Sequence, residues 1–176
     1  EVIETFGHTP NSVSFAVTDH GRSEDIFALL TGDLLFVGDI GRPDLAGADL
    51  LEAQVKNLYD SLYVKLARFP DWVEVYPAHG AGSLCGKALS SKLSSTIGTE
   101  RKHNPALNIH PEEEFVRSFL ADMPEAPDHF SRCSEINRIG APPVYSLDAP
   151  VSYGPKEFLE LAQSGYPVVD TRDQLP

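Results

Sequence analysis

One stretch, residues 31–45 (TGDLLFVGDIGRPDL), constrains the fold more than any other part of the chain. It contains three aspartates and three glycines. An apolar run at residues 26–30 precedes it and predicts a buried strand, so Asp33 stands where that strand ends. Gly32 turns the chain at that point. A carboxylate at a strand end can point into a cleft, and it is a hard oxygen donor for a metal ion.

Two histidines stand at similar strand ends. His8 follows a strand-like run at residues 1–6, and His79 follows a second one at residues 72–76. We therefore predict that His8 and Asp33 are metal ligands whose side chains converge on one cation. His79 is either a third ligand or a group that hydrogen-bonds a ligand. Histidine and carboxylate donors suit zinc or iron, and an open face of two histidines and one carboxylate suits non-haem Fe(II).

The hydrophobic pattern predicts an α/β layered fold. In VSFAVT, Val13, Phe15 and Val17 alternate with polar residues, which predicts a half-buried strand in an antiparallel hairpin with residues 26–30. Further elements are four helices and a late strand: residues 49–69, a helix capped by residues 94–96 that ends near Asn104, residues 112–123, residues 155–163, and a strand at residues 166–169.

Composition excludes several functions. The chain has 176 residues and a net charge of −12, which disfavours binding to nucleic acid. No apolar stretch approaches the length of a membrane span. The two cysteines, Cys85 and Cys133, give no disulfide framework, so we predict a cytoplasmic protein and place Cys133 in a packed helix face. An open sheet edge would favour self-association, and a homodimer is therefore a further prediction.

Three segments carry a family resemblance. GHTPNSVSFAVTD, TGDLLFVGDIGRPDL and YPAHGAGSLCG resemble the metallo-β-lactamase superfamily and, within it, the persulfide (sulfur) dioxygenases. The resemblance covers residues 1–140 and implies the C-terminal portion of an αββα sandwich. KEFLELAQSGYPVVDTR looks like the opening of a rhodanese domain. The resemblance therefore implies a dioxygenase–rhodanese fusion, with a linker at residues 141–154 and a truncated rhodanese-like domain at residues 155–176.

The resemblance also implies a ligand set. In persulfide dioxygenases the iron is held by a histidine matching His8, an aspartate matching Asp33 and a histidine of an HxHxDH motif. That motif is absent from this sequence. We therefore expect a piece of a longer protein whose metal site this chain alone leaves incomplete. His79 matches a histidine that binds the second metal in dinuclear relatives such as glyoxalase II and lies near the iron in the mononuclear enzymes.

The implied reaction is the oxidation of glutathione persulfide, or a similar small persulfide, by O₂ to sulfite and a thiol in sulfide detoxification. A chain of this charge needs local cations to hold an anionic thiol. Arg101 matches the family's glutathione-carboxylate arginine, and Lys87 and Lys92 are further candidates; the alternative is that all three are solvated surface charges. Arg42, between two aspartates, is predicted to form a structural ion pair.

Asp33, His79 and Cys85 are the candidate catalytic residues. Cys85 is either a bystander thiol or a nucleophile that approaches the persulfide, because a thiolate near cations is reactive. Two other functions remain open. One is a zinc thioester hydrolase of the glyoxalase II type, which shares the scaffold. The other is a non-catalytic fragment that binds a thiol or a partner.

Overall fold

A five-stranded mixed sheet forms the centre of the first of two units. The computed structural model describes residues 1–81, 83, 90–121 and 129–172, and the chain divides into Glu1–Arg138 and Ile139–Pro176. Its strands are β1 (Val2–Glu4), β2 (Val13–Thr18), β3 (Ile26–Gly32), β4 (Glu74–Pro77) and β5 (Ser95–Thr96). They lie in chain order in the sheet. β1, β2 and β3 are antiparallel, β3 and β4 are parallel, and β4 and β5 are antiparallel. The predicted hairpin and the α/β class are confirmed.

Helices connect and follow the strands. They are α1 (Leu51–Asp60), α2 (Ile97–His103), α3 (Glu112–Ala121) and α4 (Phe130–Ile139). The predicted helix at residues 49–69 is one helical segment of changing pitch, because α1 continues into a π turn at Ser61–Lys65 and a 3₁₀ turn at Leu66–Arg68. The predicted cap of α2 is confirmed, since the Thr96 hydroxyl accepts a hydrogen bond from the Thr99 amide.

The helices cover one face of the sheet. Leu29 and Val75, from neighbouring strands, are fully buried there. They belong to a cluster of apolar side chains from β-strands and helices that includes Ile3, Val55, Leu58, Leu62, Leu66, Ile97 and Phe115. Gly7 allows α1 to approach closely, because a Cβ at that position would lie 2.6 Å from the Leu58 Cα. This face holds the core of the unit.

The opposite face of the sheet is apolar and exposed. Val2, Phe15, Leu30 and Tyr76 are register neighbours across four strands, and each is at least 40% exposed. In β2 it is Ser14 and Ala16 that point into the core. The predicted half-buried strand is confirmed, but its larger apolar side chains lie on the exposed side, because the helices cover the side that carries the small residues.

The chain start closes the outer edge of this ladder. The amino group of Glu1 donates a hydrogen bond to the Ala16 carbonyl at 2.9 Å. The Glu1 carboxylate accepts one from Arg68. These contacts extend the pairing of β1 and β2 by one residue.

The described part of the second unit contains a short 3₁₀ turn at Val144–Ser146 and the helix α5 (Pro155–Gln163). The Glu157 carboxylate accepts a hydrogen bond from the Gly154 amide and caps the first turn. The predicted helix is confirmed, but the predicted strand at residues 166–169 is wrong. That segment has no strand partner among the described residues, and Val168 and Val169 are 57% and 80% exposed. The assignments of the linker and the rhodanese-like domain stay predictions.

Neither unit contains, in its described residues, a helix long and apolar enough to cross a membrane.

Candidate metal centre

A short hairpin at residues 33–42 follows β3 and builds the site. Leu35 and Ile40 pair across it, and the Phe36 amide donates to the Asp39 carbonyl at 2.9 Å. The Thr31 hydroxyl donates to the Leu35 carbonyl at 2.7 Å and fixes the first arm to the strand end. The hairpin brings Asp33 and Arg42 together although nine positions separate them in the sequence.

Gly41 allows the two arms to approach. A Cβ at this position would lie 1.8 Å from the Asp33 carbonyl oxygen and 3.1 Å from the His8 Nδ1. No side chain fits there, so the spacing of the site depends on this glycine. Gly41 is the third glycine of residues 31–45, and its role was not among the predictions from the sequence.

His8 is buried and held in one orientation. Its Nδ1–H donates to the Arg42 carbonyl at 2.8 Å, and a carbonyl can only accept. Neutral His8 therefore keeps its lone pair on Nε2, which lies 3.7 Å from the Asp33 Oδ2. Burial lowers the pKa of His8 below its usual value; the attraction of Asp33 opposes this shift, and so does the bond to Arg42.

His79 reaches the same carboxylate from the next strand. Gly32 and Pro77 pair at the ends of the parallel strands β3 and β4, and the Ala78 amide donates to the Gly32 carbonyl at 2.9 Å. The His79 Nδ1–H donates to the Asp33 Oδ1 at 2.5 Å. The side chain of His79 is 43% exposed, so its ring faces solvent. Asp33 thus lies between the two histidines.

His8 and Asp33 provide the types of donor atom that bind metal ions. His8 offers an anchored imidazole with a free nitrogen, as metal-binding histidines do, and Asp33 offers a carboxylate beside it. Within the described ranges, however, no group of three or more His, Cys, Asp or Glu side chains is arranged to hold a metal ion. The histidines and Asp33 therefore form a partial ligand set, and their roles as ligands stay predictions.

Arg42 forms the predicted structural ion pair. Its Nε and one terminal nitrogen each donate to Asp44 at 2.6 Å, and both side chains are about nine-tenths buried. The guanidinium also lies 5.0 Å from the centre of the Phe130 ring. This pair fixes the carbonyl that orients His8.

Two of the three predicted substrate cations, Arg101 and Lys92, are described. Arg101 on α2 donates to the Asp71 carboxylate and to the Ala67 and Phe69 carbonyls. Its guanidinium therefore anchors residues 67–71, where the helical segment that begins with α1 ends. Lys92 is exposed. Lys87 and Cys85 lie outside the described residues. Cys133 is exposed on α4, so its placement in a packed face is wrong.

Comparisons with known proteins agree with this fold. No family model matches the chain. The chain is 32% identical over 111 residues to the mitochondrial persulfide dioxygenase ETHE1 of Homo sapiens, a match that covers 63% of this chain and 36% of that protein. It is 39% identical over 79 residues to a hydroxyacylglutathione hydrolase of Prochlorococcus marinus, covering 45% of this chain and 28% of that protein. The chain therefore spans well under half of either relative.

Two solved structures have similar folds. A metallo-β-lactamase from Staphylococcus aureus matches 78% of this chain with a TM-score of 0.70 and 38% identity, and the match covers 39% of that chain. ETHE1 from Myxococcus xanthus matches 78% of this chain with a TM-score of 0.59 and 28% identity, and the match covers 52% of that chain.

The fold and these relatives thus make the chain similar to proteins of the metallo-β-lactamase superfamily. The relatives within that class include both a dioxygenase and a hydrolase.

Proposed function

We propose that this chain contributes His8 and Asp33, with His79 beside them, to the metal centre of a persulfide dioxygenase. The substrate is glutathione persulfide or a similar small persulfide. The overall reaction is RSSH + O₂ + H₂O → RSH + SO₃²⁻ + 2H⁺, in which the outer sulfur is oxidised and O₂ is reduced. Bound iron would supply the redox chemistry that no amino-acid side chain provides.

The observation that carries this proposal is the arrangement around Asp33. Its two oxygens face two different imidazoles, at 3.7 Å and 2.5 Å. Non-haem iron sites with open positions use two histidines and one carboxylate, and His8 and Asp33 would be two of those three donors. The similarity to the human persulfide dioxygenase supports the same choice. Because no group of three donors comes together among the described residues, the remaining positions are left to other ligands.

The protein's own residues have separate tasks in this proposal. The Arg42 carbonyl keeps the His8 Nδ1 protonated and so leaves Nε2 available. Burial disfavours protonation of that nitrogen, which would otherwise block it. Exposed His79 is placed to exchange protons with solvent through the ring nitrogen that Asp33 does not occupy.

A zinc-dependent thioester hydrolase is the second candidate. The similarity to hydroxyacylglutathione hydrolase favours it, and His79, which matches a histidine that binds the second metal in dinuclear relatives, lies beside Asp33. The same residues serve both reactions, so the identity of the metal and the reaction separate the two candidates.

The test is metal analysis combined with two assays on the purified full chain. The chain is loaded anaerobically with Fe(II) or with Zn²⁺. Oxygen uptake is then measured with glutathione persulfide, and thioester cleavage with a hydroxyacyl-glutathione. The dioxygenase proposal expects iron retention and oxygen uptake with sulfite as product, and loss of both in Asp33→Asn.

His20→Gln is the matched control. His20 is an exposed turn histidine paired with Glu24, and its replacement should change neither metal content nor turnover. Zinc retention with thioester cleavage would replace the dioxygenase with the hydrolase. Failure to retain either metal at one equivalent would overturn the proposal for this chain.

A further inference from the structure

Glu100 is a charged residue in the core. It lies on α2 and is 2% exposed. Its Oε2 accepts hydrogen bonds from the Gly38 amide and from the Asn104 side chain, both at 2.9 Å. Among the described contacts these donors are neutral groups. Burying a carboxylate without hydrogen bonds is costly, and hydrogen bonds to it are strong. The two donors are therefore held in place beside Glu100.

Asn104 continues this network one turn further along. It is fully buried, and its amide nitrogen also donates to the Asp39 carbonyl at 3.0 Å. Its side-chain oxygen accepts from the Ala106 amide at 3.1 Å, which fixes the orientation of the side-chain amide. Glu100 thus accepts from the Gly38 amide, and Asn104 donates to the carbonyl of the next residue, Asp39.

Gly38 and Asp39 are the tip of the hairpin that builds the metal centre. The Asp39 carbonyl accepts from the Phe36 amide as well as from Asn104. The Gly41 amide in turn donates to the Leu34 carbonyl at 3.1 Å. A displacement of the tip would therefore be passed along paired arms to Asp33 at one end and to the Arg42 carbonyl at the other.

We propose that Glu100 and Asn104 are positioning residues that clamp the tip of this hairpin and thereby set the orientation of His8 relative to Asp33. The metal-binding consequence depends on the proposed function; the clamp itself does not. Neither residue contacts His8, Asp33 or His79 in the described structure, so the effect acts only through the hairpin.

The first arm of the test uses metal-free protein. Hydrogen exchange of the Gly38 amide and the ¹⁵N shifts of the His8 ring are measured in Glu100→Ala, Glu100→Gln and the full-length parent. Glu100→Ala should exchange Gly38 about tenfold faster, as expected when a hydrogen bond to a charged group is lost. Its His8 ring should populate the second tautomer. Glu100→Gln keeps an acceptor oxygen and should stay within about threefold of the parent.

The controls separate positioning from stability. Glu113 is an exposed acid on α3, and Glu113→Ala should leave all of these signals unchanged. Leu29 and Val75 amides should exchange at the parent's rate in every variant, which shows that the sheet is intact. If Glu100→Ala does not fold, Glu100→Asp decides, because it keeps the charge but withdraws the carboxylate from Gly38.

The second arm titrates Co²⁺ and follows its visible absorption. Glu100→Ala should weaken binding about tenfold or more, the size typical for residues that orient metal ligands, and Glu100→Gln should restore it to within about threefold. Unchanged His8 shifts in a folded Glu100→Ala or Glu100→Asp would overturn the positioning role, even if Gly38 exchanged faster. Absence of Co²⁺ binding by the parent would overturn the proposed function alone, since the metal-free arm still decides the clamp.

Discussion

The two faces of the same sheet differ sharply in what covers them. On one face Leu29 and Val75 are completely buried beneath the helices. On the other, the stripe of Val2, Phe15, Leu30 and Tyr76 is exposed across four strands. The exposed face carries larger apolar side chains in β2 than the buried one. In the described chain the helices therefore cover the side of β2 that carries the smaller side chains.

Leu29 and Leu30 give the largest expected contrast between the faces. They are adjacent, chemically identical, and 0% and 45% exposed. Leu29→Ala should lower the free energy of unfolding by about 2–5 kcal/mol, because it leaves a cavity in the core. Leu30→Ala should cost less than about 1 kcal/mol. Urea denaturation of both variants measures the difference, and equal losses would show that the second face is covered in solution.

Gly7 tests how closely the helices approach the covered face. Gly7→Ala should destabilise the chain by about 1–3 kcal/mol, because the new Cβ would meet the backbone of α1 at Leu58. Gly47→Ala is the matched control: both glycines have positive φ, but nothing lies within 4 Å of a Cβ at Gly47. The difference in melting temperature between Gly7→Ala and Gly47→Ala measures the effect of the clash apart from that of backbone strain. Similar melting temperatures would mean that α1 can move away.

Buried His8 should make the free energy of unfolding depend on pH. Folding lowers its pKa from 6.5 because the ring is buried, so the unfolded chain binds more protons just below pH 6.5. His8 should therefore stabilise the fold above that pH, and this contribution should be lost as pH falls toward the lowered pKa. Denaturation of the parent and His8→Gln between pH 7 and 5.5 measures it. Parallel curves for the two proteins would contradict this prediction.

The smallest stability effect is expected on the exposed face. Phe15→Thr should change the free energy of unfolding by less than about 0.5 kcal/mol, because the ring is 46% exposed and threonine suits a strand. Binding of a hydrophobic dye should nevertheless fall. Sedimentation of the parent and of Phe15→Thr also tests the predicted homodimer. A dimer unaffected by the substitution would exclude this face as its interface.

Local signals in the sequence were enough for most of the elements. The alternation in β2, the Thr96 cap of α2 and the proline start of α5 each predicted an element that the structure contains. The convergence of His8 and Asp33 also followed from their places at strand ends. The predictions of the three elements succeed because their physical causes lie within a few residues of one another, whereas the convergence of His8 and Asp33, 25 positions apart, depends on the sheet that brings their strand ends together.

Long-range partners explain what the sequence did not predict. Glu100 is an acidic residue in a polar run, and that run does not reveal its hydrogen bond from the Gly38 amide, 62 positions away. Arg101, whose binding of substrate stays a prediction, donates to carbonyls more than 30 positions upstream, and the local pattern did not show this contact. Residues 166–169 have the composition of a strand but no neighbouring strand to pair with in the described chain. In each case the deciding contact is absent from the local pattern.

The hydrogen bond from the Glu1 nitrogen to Ala16 has a practical consequence for labelling. The Ala16 amide donates in turn to the Glu1 carbonyl, also at 2.9 Å, so backbone atoms alone make this pair. A fluorophore attached through a cysteine in place of exposed Glu1 should therefore leave the β1–β2 pairing intact, and it would cost only the contact with Arg68.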